Sequence, residues 1–251
     1  MYNICYATHG NQRKFPLLGM LGKTHDHLDE ITEFIRPLDP DVIGLIEVDN
    51  GSYRSGRKSQ TEKMAEELGH FHSYCSKYGT TSRWQRIPIY NKQGNAFLAK
   101  DTIRGEKFHY FERGMKKLVI ELELEHLVVY LAHLSLGART RHHQLDALYE
   151  MVKKTERPCL VEGDFNMLWG ERAIDMFLAA AGLKNANIER LPTYPSKNPR
   201  RHLDFVLHSK EIKIRDFQVP LVSFSDHLPV VVDFDVEVEK DQRKAPRSPH
   251  C

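Results

Sequence analysis

Acidic, amide and imidazole side chains stand at the ends of several apolar segments of this 251-residue chain. One segment ends in Gly163-Asp164-Phe165-Asn166, and another ends in Leu45-Ile46-Glu47. A buried strand has no packing reason to end in an acid or an amide, because each loses its hydration there and needs a partner. The pattern recurs at Asp204, inside an apolar segment, and at Asp226-His227, directly before the last one. We therefore expect these side chains to converge on one site and to bind something there.

Carboxylate and amide oxygens dominate this set of side chains. Such donors favour Mg²⁺ or Mn²⁺, hard cations that keep several waters and take phosphate oxygens as further ligands. Zinc is less favoured, because the sequence has neither a His-Glu-x-x-His motif nor a cysteine pair at metal-ligand spacing. The expected cofactor is Mg²⁺, with Mn²⁺ as a substitute.

The composition is that of a globular protein, with 41% hydrophobic and 28% charged residues. A net charge of +2 gives no overall field that would indicate a polyanionic partner. The cysteines are widely scattered and predict a reducing compartment; they are Cys5, Cys75, Cys159 and Cys251. No segment has the pattern of a signal peptide or the length of a transmembrane span, so a cytoplasmic location is expected.

Apolar periodicity predicts the order of the secondary-structure elements. The predicted strands are residues 2–6, 42–46, 96–99, 117–124, 127–133, 159–162, 203–207 and 230–236, and the predicted helices are residues 27–35, 60–68, 141–153 and 171–181. Gly69 and Gly182 stand where helix C-terminal caps are expected. The short gap of Glu125 and His126 predicts an antiparallel hairpin. Hairpins mixed with helix-linked strands predict an α+β fold, a four-layer αββα sandwich with two mixed sheets face to face and helices outside.

We expect a single catalytic domain over residues 1–236, because no linker or internal repeat interrupts that stretch. Residues 237–251 are polar and basic and include two prolines. Such a composition predicts a mobile C-terminal tail.

Seven short motifs together resemble the endonuclease/exonuclease/phosphatase superfamily, which includes pancreatic-type deoxyribonucleases, AP endonucleases, neutral sphingomyelinases and inositol polyphosphate 5-phosphatases. The motifs are Tyr2-Asn3-Ile4, residues 41–47, Gly94-Asn95-Ala96-Phe97-Leu98, Ala132-His133-Leu134, residues 163–166, Leu203-Asp204-Phe205 and Ser225-Asp226-His227. One such motif recurs by chance, but seven in the family's order span nearly the whole chain. The resemblance implies a metal-dependent phosphoester hydrolase.

For the metal, the resemblance implies three ligands or supporting residues. Glu47 would bind the ion directly, Asn3 would support the ion or its water, and Asp226 would complete a contact near the same place. An ion held there polarises the phosphoryl oxygen and neutralises the charge that develops on it.

For the chemical step, the resemblance implies a carboxylate, an amide and a paired imidazole. Asp164 would orient and deprotonate the attacking water, and Asn166 would hydrogen-bond the phosphoryl oxygen in the transition state. Asp204 would orient His227 and favour its charged form. Whether His227 acts as a base or as a phosphate-binding imidazolium stays open.

His133 occupies the position at which deoxyribonuclease-like and phosphatase-like members carry a histidine, which implies a catalytic or phosphate-contact role. AP endonucleases have a tyrosine there, so His133 argues against abasic-site repair. Arg141, downstream of it, is expected to bind substrate. Asn95 is either a phosphate contact or a turn residue before a strand.

Basic residues cluster in three predicted loops, together with the aromatic residues Tyr53, Trp84 and Tyr194. The clusters are Arg54, Arg57 and Lys58; Arg83 and Arg86; and Lys197, Arg200 and Arg201. They could hold a phosphate backbone while the aromatic rings stack on bases, with Arg54 and Arg201 as substrate-binding residues. The alternative is solvated loop charge without a ligand.

Three functions are consistent with these observations. The first is a nuclease that cleaves DNA or another nucleic acid through backbone contacts. The second is a phosphatase or phosphodiesterase on a small or lipid-linked phosphate headgroup. The third is a non-catalytic binding module, which is disfavoured because every key side chain of the motifs is present. No feature of the sequence indicates a protein partner.

Overall fold

Alternating apolar side chains let two sheets bury one face against each other and the other face against helices. The computed structural model of the protein describes residues 1–8, 25–79, 82–168 and 170–237. Three separate apolar clusters join four layers in the order helices, first sheet, second sheet, helices. The predicted α+β class and the αββα sandwich are confirmed.

The first sheet has four strands in the order β1-β2-β4-β3. They are β1 (Tyr2–Asn3), β2 (Val42–Asp49), β3 (Phe71–Ser76) and β4 (Gln93–Ala99). β1 is parallel to β2, and β4 is antiparallel to both β2 and β3. β1 and β2 therefore end at the same edge of a mixed sheet.

The second sheet has six strands in the order β5-β6-β7-β8-β10-β9. They are β5 (Gly105–Tyr110), β6 (Leu118–Glu123), β7 (Val128–His133), β8 (Cys159–Asp164), β9 (Lys184–Asn185) and β10 (Asp204–His208). β6 and β7 form the predicted antiparallel hairpin, whereas β7 and β8 are parallel. β10 returns antiparallel to β8.

Helices cover the outer face of each sheet. They are α1 (His25–Ile35), α2 (Gln60–Leu68), α3 (Ala138–Lys153) and α4 (Arg172–Ala181). Ile31 of α1 and Met64 of α2 pack on the first sheet, while Leu148 of α3 and Phe177 of α4 pack on the second. Gly69 and Gly182 end α2 and α4 with φ of 71° and 67°, which confirms both predicted caps.

The core between the sheets is built from inward-facing strand residues. Ile46 and Phe97 of the first sheet meet Ile120, Leu131 and Val206 of the second, and all are buried. A further antiparallel pair, β11 (Ile212–Gln218) and β12 (Val231–Val236), adds partly buried side chains to this cluster.

The strand predicted over residues 2–6 is wrong beyond Asn3. Cys5, Tyr6 and Ala7 form a 3-10 turn with φ of 46°, 56° and 54°. The Asn3 side-chain oxygen accepts a hydrogen bond from the Cys5 backbone N–H at 3.2 Å, which turns the chain after β1.

The strands that the sequence pattern did not predict, β3, β5, β9 and β11, are peripheral or very short. β3 and β5 form edges of the two sheets, and most of their side chains are polar and at least partly exposed. Edge strands tolerate such residues because one side of the strand and part of its faces remain in water. Their apolar periodicity is correspondingly weak.

The tail predicted after residue 237 lies outside the described residues, so it and the 1–236 domain boundary stay predictions. Within the described residues, the helices are too short or too polar for any of them to cross a membrane.

Leu131 provides a test of the core between the sheets. Leu131→Ala should lower the free energy of unfolding by about 2–5 kcal/mol, because the leucine is 0% exposed and its loss leaves a cavity. Denaturant unfolding measures this change. The control Leu136→Ala removes a leucine that is 55% exposed and should change stability by less than about 0.5 kcal/mol; equal losses in both variants would contradict the placement of Leu131.

Candidate active site

The topology brings the chemically competent residues to one end of the sandwich. His133 and Asp164, the last residues of the parallel strands β7 and β8, are paired in register. Asp204, the first residue of β10, pairs with Asp164 from the other side. In the first sheet, Asn3 pairs with Ile46, the residue before Glu47. Residues that are far apart in the sequence therefore meet at the same strand ends.

The Asp164 carboxylate is the centre of this cluster. Its Oδ2 accepts a hydrogen bond from Asn3 Nδ2 at 3.2 Å and lies 3.3 Å from His133 Nε2 and 3.8 Å from His227 Nε2. Its Oδ1 accepts a hydrogen bond from the Asn166 backbone N–H at 2.9 Å. With 1% exposure, this carboxylate is solvated almost entirely by protein groups.

Asp204 fixes the orientation of His227. The His227 Nδ1 lies 2.8 Å from Asp204 Oδ2, and the Thr193 hydroxyl donates to the same carboxylate oxygen at 2.5 Å. The Tyr194 ring packs against the imidazole at a centroid distance of 4.8 Å. The other ring nitrogen, Nε2, is thereby directed toward Asp164.

The charges of these groups depend on one another. Burial disfavours a charged imidazole, but the Asp204 and Asp164 carboxylates outweigh burial and raise the pKa of His227 to about 10. Burial alone would raise the pKa of Asp164, yet the charge of His227 and the hydrogen bond with His133 hold that pKa well below its usual range. Burial and the nearby Lys116 lower the pKa of His133. The cluster is thus an imidazolium between two carboxylates, next to a neutral imidazole.

Glu47 is positioned by an irregularity in β2. The pairing with β4 shifts register between Leu45 and Val48, and Glu47 has a φ of +58°. Non-glycine residues seldom adopt this left-handed conformation, and a bulge of this kind redirects a side chain at the end of a strand. The Glu47 backbone N–H donates to Asn95 Oδ1 at 3.3 Å, which makes Asn95 a support for the bulge.

Lys116 is a member of the site that the sequence analysis did not identify. Its Nζ lies 4.0 Å from Glu47 Oε1 and in hydrogen-bond contact with His133 Nε2. The signal was topological: residues directly before β6 must lie beside the end of β7, because the two strands form an antiparallel hairpin. The pair Lys116-Lys117 by itself looks like ordinary surface charge.

Lys77, which directly follows β3, was also missed. Its Nζ donates to the Tyr6 hydroxyl at 2.7 Å and lies 5.2 Å from the Tyr78 ring centroid. Burial lowers the pKa of Lys77 to about 8, and the attraction of Glu47 works against this fall. Burial would raise the pKa of Glu47, but Lys116, His133 and Lys77 hold it below its ordinary value. Glu47 is therefore an ionised carboxylate beside two lysines.

Asn166 and Asp226 complete the set that was predicted from the sequence. Asn166 has a φ of +52°, and its Nδ2 donates to the Leu134 carbonyl at 2.8 Å, so its amide links the segments that follow β8 and β7. Asp226 is half-buried. The Ser225 hydroxyl donates to the Asn3 carbonyl at 2.7 Å, which ties Asp226 to the end of β1.

Two groups of donors were tested for their fit to a divalent cation. Ligand atoms of Asp164, Asp204 and His227 lie within 4.8 Å of one another, but His227 is a cation whose Nδ1 is bonded to Asp204 and whose Nε2 faces Asp164, so it offers no lone pair to a metal. Burial raises the pKa of the Cys5 thiol, and the nearby carboxylates of Glu47 and Asp226 raise it further. The Asn3 side-chain oxygen is bonded to the backbone of the same Cys5. Oxygen donors from two carboxylates and an amide therefore lie around Cys5, and this set without an imidazolium fits a hard cation such as Mg²⁺ or Mn²⁺ better than the first group.

The four residues predicted to bind substrate have different surroundings. Arg54 is fully buried, with its guanidinium carbon 5.5 Å from the Tyr6 ring centroid, and Asn95 is buried in β4. Arg141 is buried in α3, and its Nη1 donates to the carbonyls of Ser135 and Leu136 at 3.1 and 2.8 Å. Arg201 is exposed.

The other residues of the three predicted basic loops are also either exposed or buried. Those that reach solvent are Tyr53, Arg57, Lys58, Trp84, Arg86, Lys197 and Arg200. Tyr194 is buried against His227, so its ring does not face an incoming base. The side chain of Arg83 lies outside the described residues.

Comparison with known proteins identifies the family. The sequence profile of the Endonuclease/Exonuclease/phosphatase family matches residues 20–227, and the chain therefore belongs to this family. Its members hydrolyse phosphoesters, which is the class of reaction assigned to this chain. A search of curated proteins finds no match.

Solved structures share the fold at low sequence identity. The human Nocturnin catalytic domain with a bound sulfate anion is 21% identical, with 94% of this chain and 92% of that chain covered and a TM-score of 0.66. The endonuclease/exonuclease/phosphatase from Bacteroides vulgatus is 15% identical, with coverages of 94% and 97% and a TM-score of 0.68. The mannosyl-6-phosphatase Bt3783 from Bacteroides thetaiotaomicron is 14% identical, with coverages of 84% and 91% and a TM-score of 0.64.

The pKa of His227 tests the electrostatic account. In metal-free protein, Asp204→Asn should bring this pKa from about 10 back toward 6.5, because the nearest carboxylate is lost. Since the folded-state pKa is raised, the associated stability is complete below pH 6.5 and is lost as the pH rises through about 10. NMR titration of the imidazole and unfolding at several pH values measure both effects. The exposed Asp146→Asn should leave the titration unchanged; an unaltered His227 pKa in Asp204→Asn would refute the pairing.

Proposed function

We propose that this protein is a nuclease that hydrolyses nucleic acid phosphodiesters by metal-assisted attack of water. One observation carries the choice of nucleic acid: Lys116 and Lys77 lie beside Glu47, and Lys77 also contacts a cluster of aromatic rings. Phosphate binding needs the cations, and base stacking needs the rings. A small phosphate ester would use only the cations.

Mg²⁺, with Mn²⁺ as a substitute, is the proposed cofactor. Glu47, Asn3 and Asp226 would hold the ion, since these are oxygen donors that all lie near Cys5. When bound, such an ion polarises the phosphoryl oxygen and offsets the charge that develops in the transition state.

Asp164 is proposed to orient the attacking water and to accept its proton. The contacts with Asn3 and the Asn166 backbone hold both of its oxygens in place. The surrounding imidazoles keep the carboxylate ionised and able to accept a hydrogen bond from water. A fixed carboxylate of this kind supplies orientation at no further entropic cost.

The cations at the site are proposed to stabilise the charge on the phosphoryl group. His227 is an imidazolium held by Asp204, which supports phosphate binding over the role of a base. Lys116 lies between Glu47 and His133 and can reach the same phosphoryl oxygens. Asn166 is proposed to contact the phosphoryl group as well, by giving up its bond to the Leu134 carbonyl when substrate binds. Preorganised donors of this kind supply much of the stabilisation in phosphoryl transfer.

Tyr78, Trp84 and Tyr90 form the aromatic cluster. Their ring centroids are separated by 6.1 Å between Tyr78 and Trp84, 5.2 Å between Trp84 and Tyr90, and 6.1 Å between Tyr78 and Tyr90. Trp84 is 38% exposed and offers the cluster to solvent. Because Lys77 lies over the Tyr78 ring, a phosphate at the lysines and a base on Trp84 would belong to neighbouring parts of one strand.

The basic loops extend this proposed surface. Arg86 lies at the end of the turn that carries Trp84, and Arg201 lies directly before the strand of Asp204. Both are exposed and would contact the backbone on either side of the cleaved bond. Arg54 and Arg141 would act from beneath the surface by supporting Tyr6 and the segment after His133.

A cytoplasmic location is part of the proposal. Among the described residues Cys5, Cys75 and Cys159 are free thiols, which is compatible with a reducing compartment.

Asp164→Asn tests the proposed chemical step. The variant should lose about 10²–10⁴-fold in turnover of a single-stranded oligonucleotide with Mg²⁺, because the amide cannot accept the proton of water. Thermal unfolding should show that the variant is folded. The control Asp175→Asn changes a carboxylate whose side chain is 54% exposed and should retain full activity. Turnover by Asp164→Asn at the unmodified rate would exclude the proposed role.

Trp84→Ala tests nucleic acid as the substrate. It should lower kcat/KM for a single-stranded oligonucleotide by about tenfold, since stacking contributes about 1–3 kcal/mol per base. An oligonucleotide of the same length without bases should be cleaved equally by both proteins. Phe71→Ala removes another exposed aromatic side chain, at the far end of β3, and serves as the control.

Two other kinds of phosphate ester test the alternative substrates. A hexose 6-phosphate and phospholipids are each assayed with Mg²⁺, Mn²⁺ or chelator. Turnover of one of these small or lipid-linked esters, with none of the oligonucleotide, would replace the nuclease proposal by that of a phosphatase or headgroup hydrolase. Hydrolysis that persists in chelator would contradict the metal requirement.

A further inference from the structure

A cavity of about 400 Å³ lies at the end of the sandwich opposite to the candidate active site. Its apolar wall includes Val129, Leu160 and Val206 from the second sheet and Phe34 from α1. Val129 and Leu160 belong to the first halves of β7 and β8, whereas His133 and Asp164 end these strands. The cavity therefore opens away from Glu47, and the proposed reaction does not use it.

One buried carboxyl group, that of Glu162, lines this apolar cavity. Glu162 is 7% exposed, and its Oε1 has no hydrogen-bond partner among the described residues. A carboxylate in such surroundings loses its hydration, and burial raises the pKa of Glu162 although the N-terminal ammonium of Met1 opposes this rise. A native protein seldom leaves a buried polar group unsatisfied without a reason.

The neighbouring backbone makes room for this carboxyl group. A Cβ atom at Gly44 of β2 would lie 1.9 Å from Glu162 Oε1. Glycine at this position thus lets the side chain extend across the space between the two sheets. The carboxyl group therefore occupies a position in the core that an apolar side chain would ordinarily fill.

The carboxylates around the cavity outnumber the ammonium group there, the N-terminus of Met1, which donates to the Val230 carbonyl at 2.7 Å. Among the described residues that line it, six are acidic and none is lysine or arginine. Lys100 pairs with Asp39 at 2.9 Å, and Arg104 pairs with Glu125 at 2.6 Å, so part of the charge at the rim is compensated from outside. Glu162 is influenced by the charge of the Met1 ammonium, but its Oε1 has no hydrogen-bonded cation among the described residues.

We propose that this cavity binds a small organic cation, with an ammonium group on Glu162 and an apolar body against the strand residues. A cation restores the interactions that the buried carboxylate has lost, and an apolar body gains from leaving water. The site is independent of the proposed nuclease activity, because neither Glu162 nor the apolar wall takes part in that reaction.

Binding of three molecules of similar size to the full chain tests this proposal. The probes are 2-phenylethylammonium, 2-phenylethanol and phenylacetate, followed by NMR chemical-shift titration. The ammonium ion should bind at least tenfold more tightly than the alcohol, and phenylacetate should not bind. Equal affinity for the ammonium ion and the alcohol, or no binding of the ammonium ion, would overturn the proposal.

Glu162→Gln should weaken binding of the ammonium ion at least tenfold, to the level of the alcohol. Glu121→Gln makes the same change at a buried carboxyl group paired with Lys107 and should bind like the unmodified protein. If Glu162→Gln does not fold, Val232→Trp provides the second test, because it fills the cavity from β12 and should abolish binding. Retention of affinity in either folded variant would refute the site, whereas loss of nuclease activity would not bear on it.

Discussion

The Asp164 carboxylate is a buried negative charge, and much of the candidate active site is arranged around it. Burying an isolated carboxylate is costly, and the cost is offset only when charged and hydrogen-bonding partners surround it. Asn3 reaches it from the first sheet, His133 from the second sheet, to which Asp164 itself belongs, and His227 from the segment before β12. Contacts with this one group therefore link both sheets and the segment that carries His227.

Glu47 illustrates the opposite arrangement at the same end of the sandwich. It is half-buried, it lies at a bulge of β2, and Lys116, Lys77 and Asp164 contribute to its electrostatic surroundings. The Asp164 carboxylate is occupied by His227, His133 and Asn3, whereas Glu47 lies near a second oxygen donor, Asp226. This difference is why we propose Glu47 as a metal ligand and Asp164 as the group that orients water. Glu162, two residues before Asp164 in β8, is not part of the candidate active site and lines the cavity at the other end of the sandwich.

The sequence pattern predicted those parts of the molecule in which buried strands end in polar residues. Asp164, Asp204 and His227 stood out because nothing in a core accounts for them, and the structure brings them into contact. Lys116 and Lys77 did not stand out, because a lysine next to a strand has the same local pattern whether it faces solvent or a carboxylate. Arg54 shows the converse: it was placed in an exposed basic loop, yet it is fully buried against Tyr6. Long-range contacts decide such cases, and local periodicity does not contain them.

The central claim is that Glu47, Asn3 and Asp226, and not Asp164, Asp204 and His227, hold the metal. Crystals soaked in Mn²⁺ and measured for anomalous scattering test it directly, because the ion is located without reference to activity. The account predicts an anomalous peak at coordination distance from the Glu47 carboxylate, with His227 still bonded to Asp204. A peak between Asp164, Asp204 and His227, with none at Glu47, would contradict it.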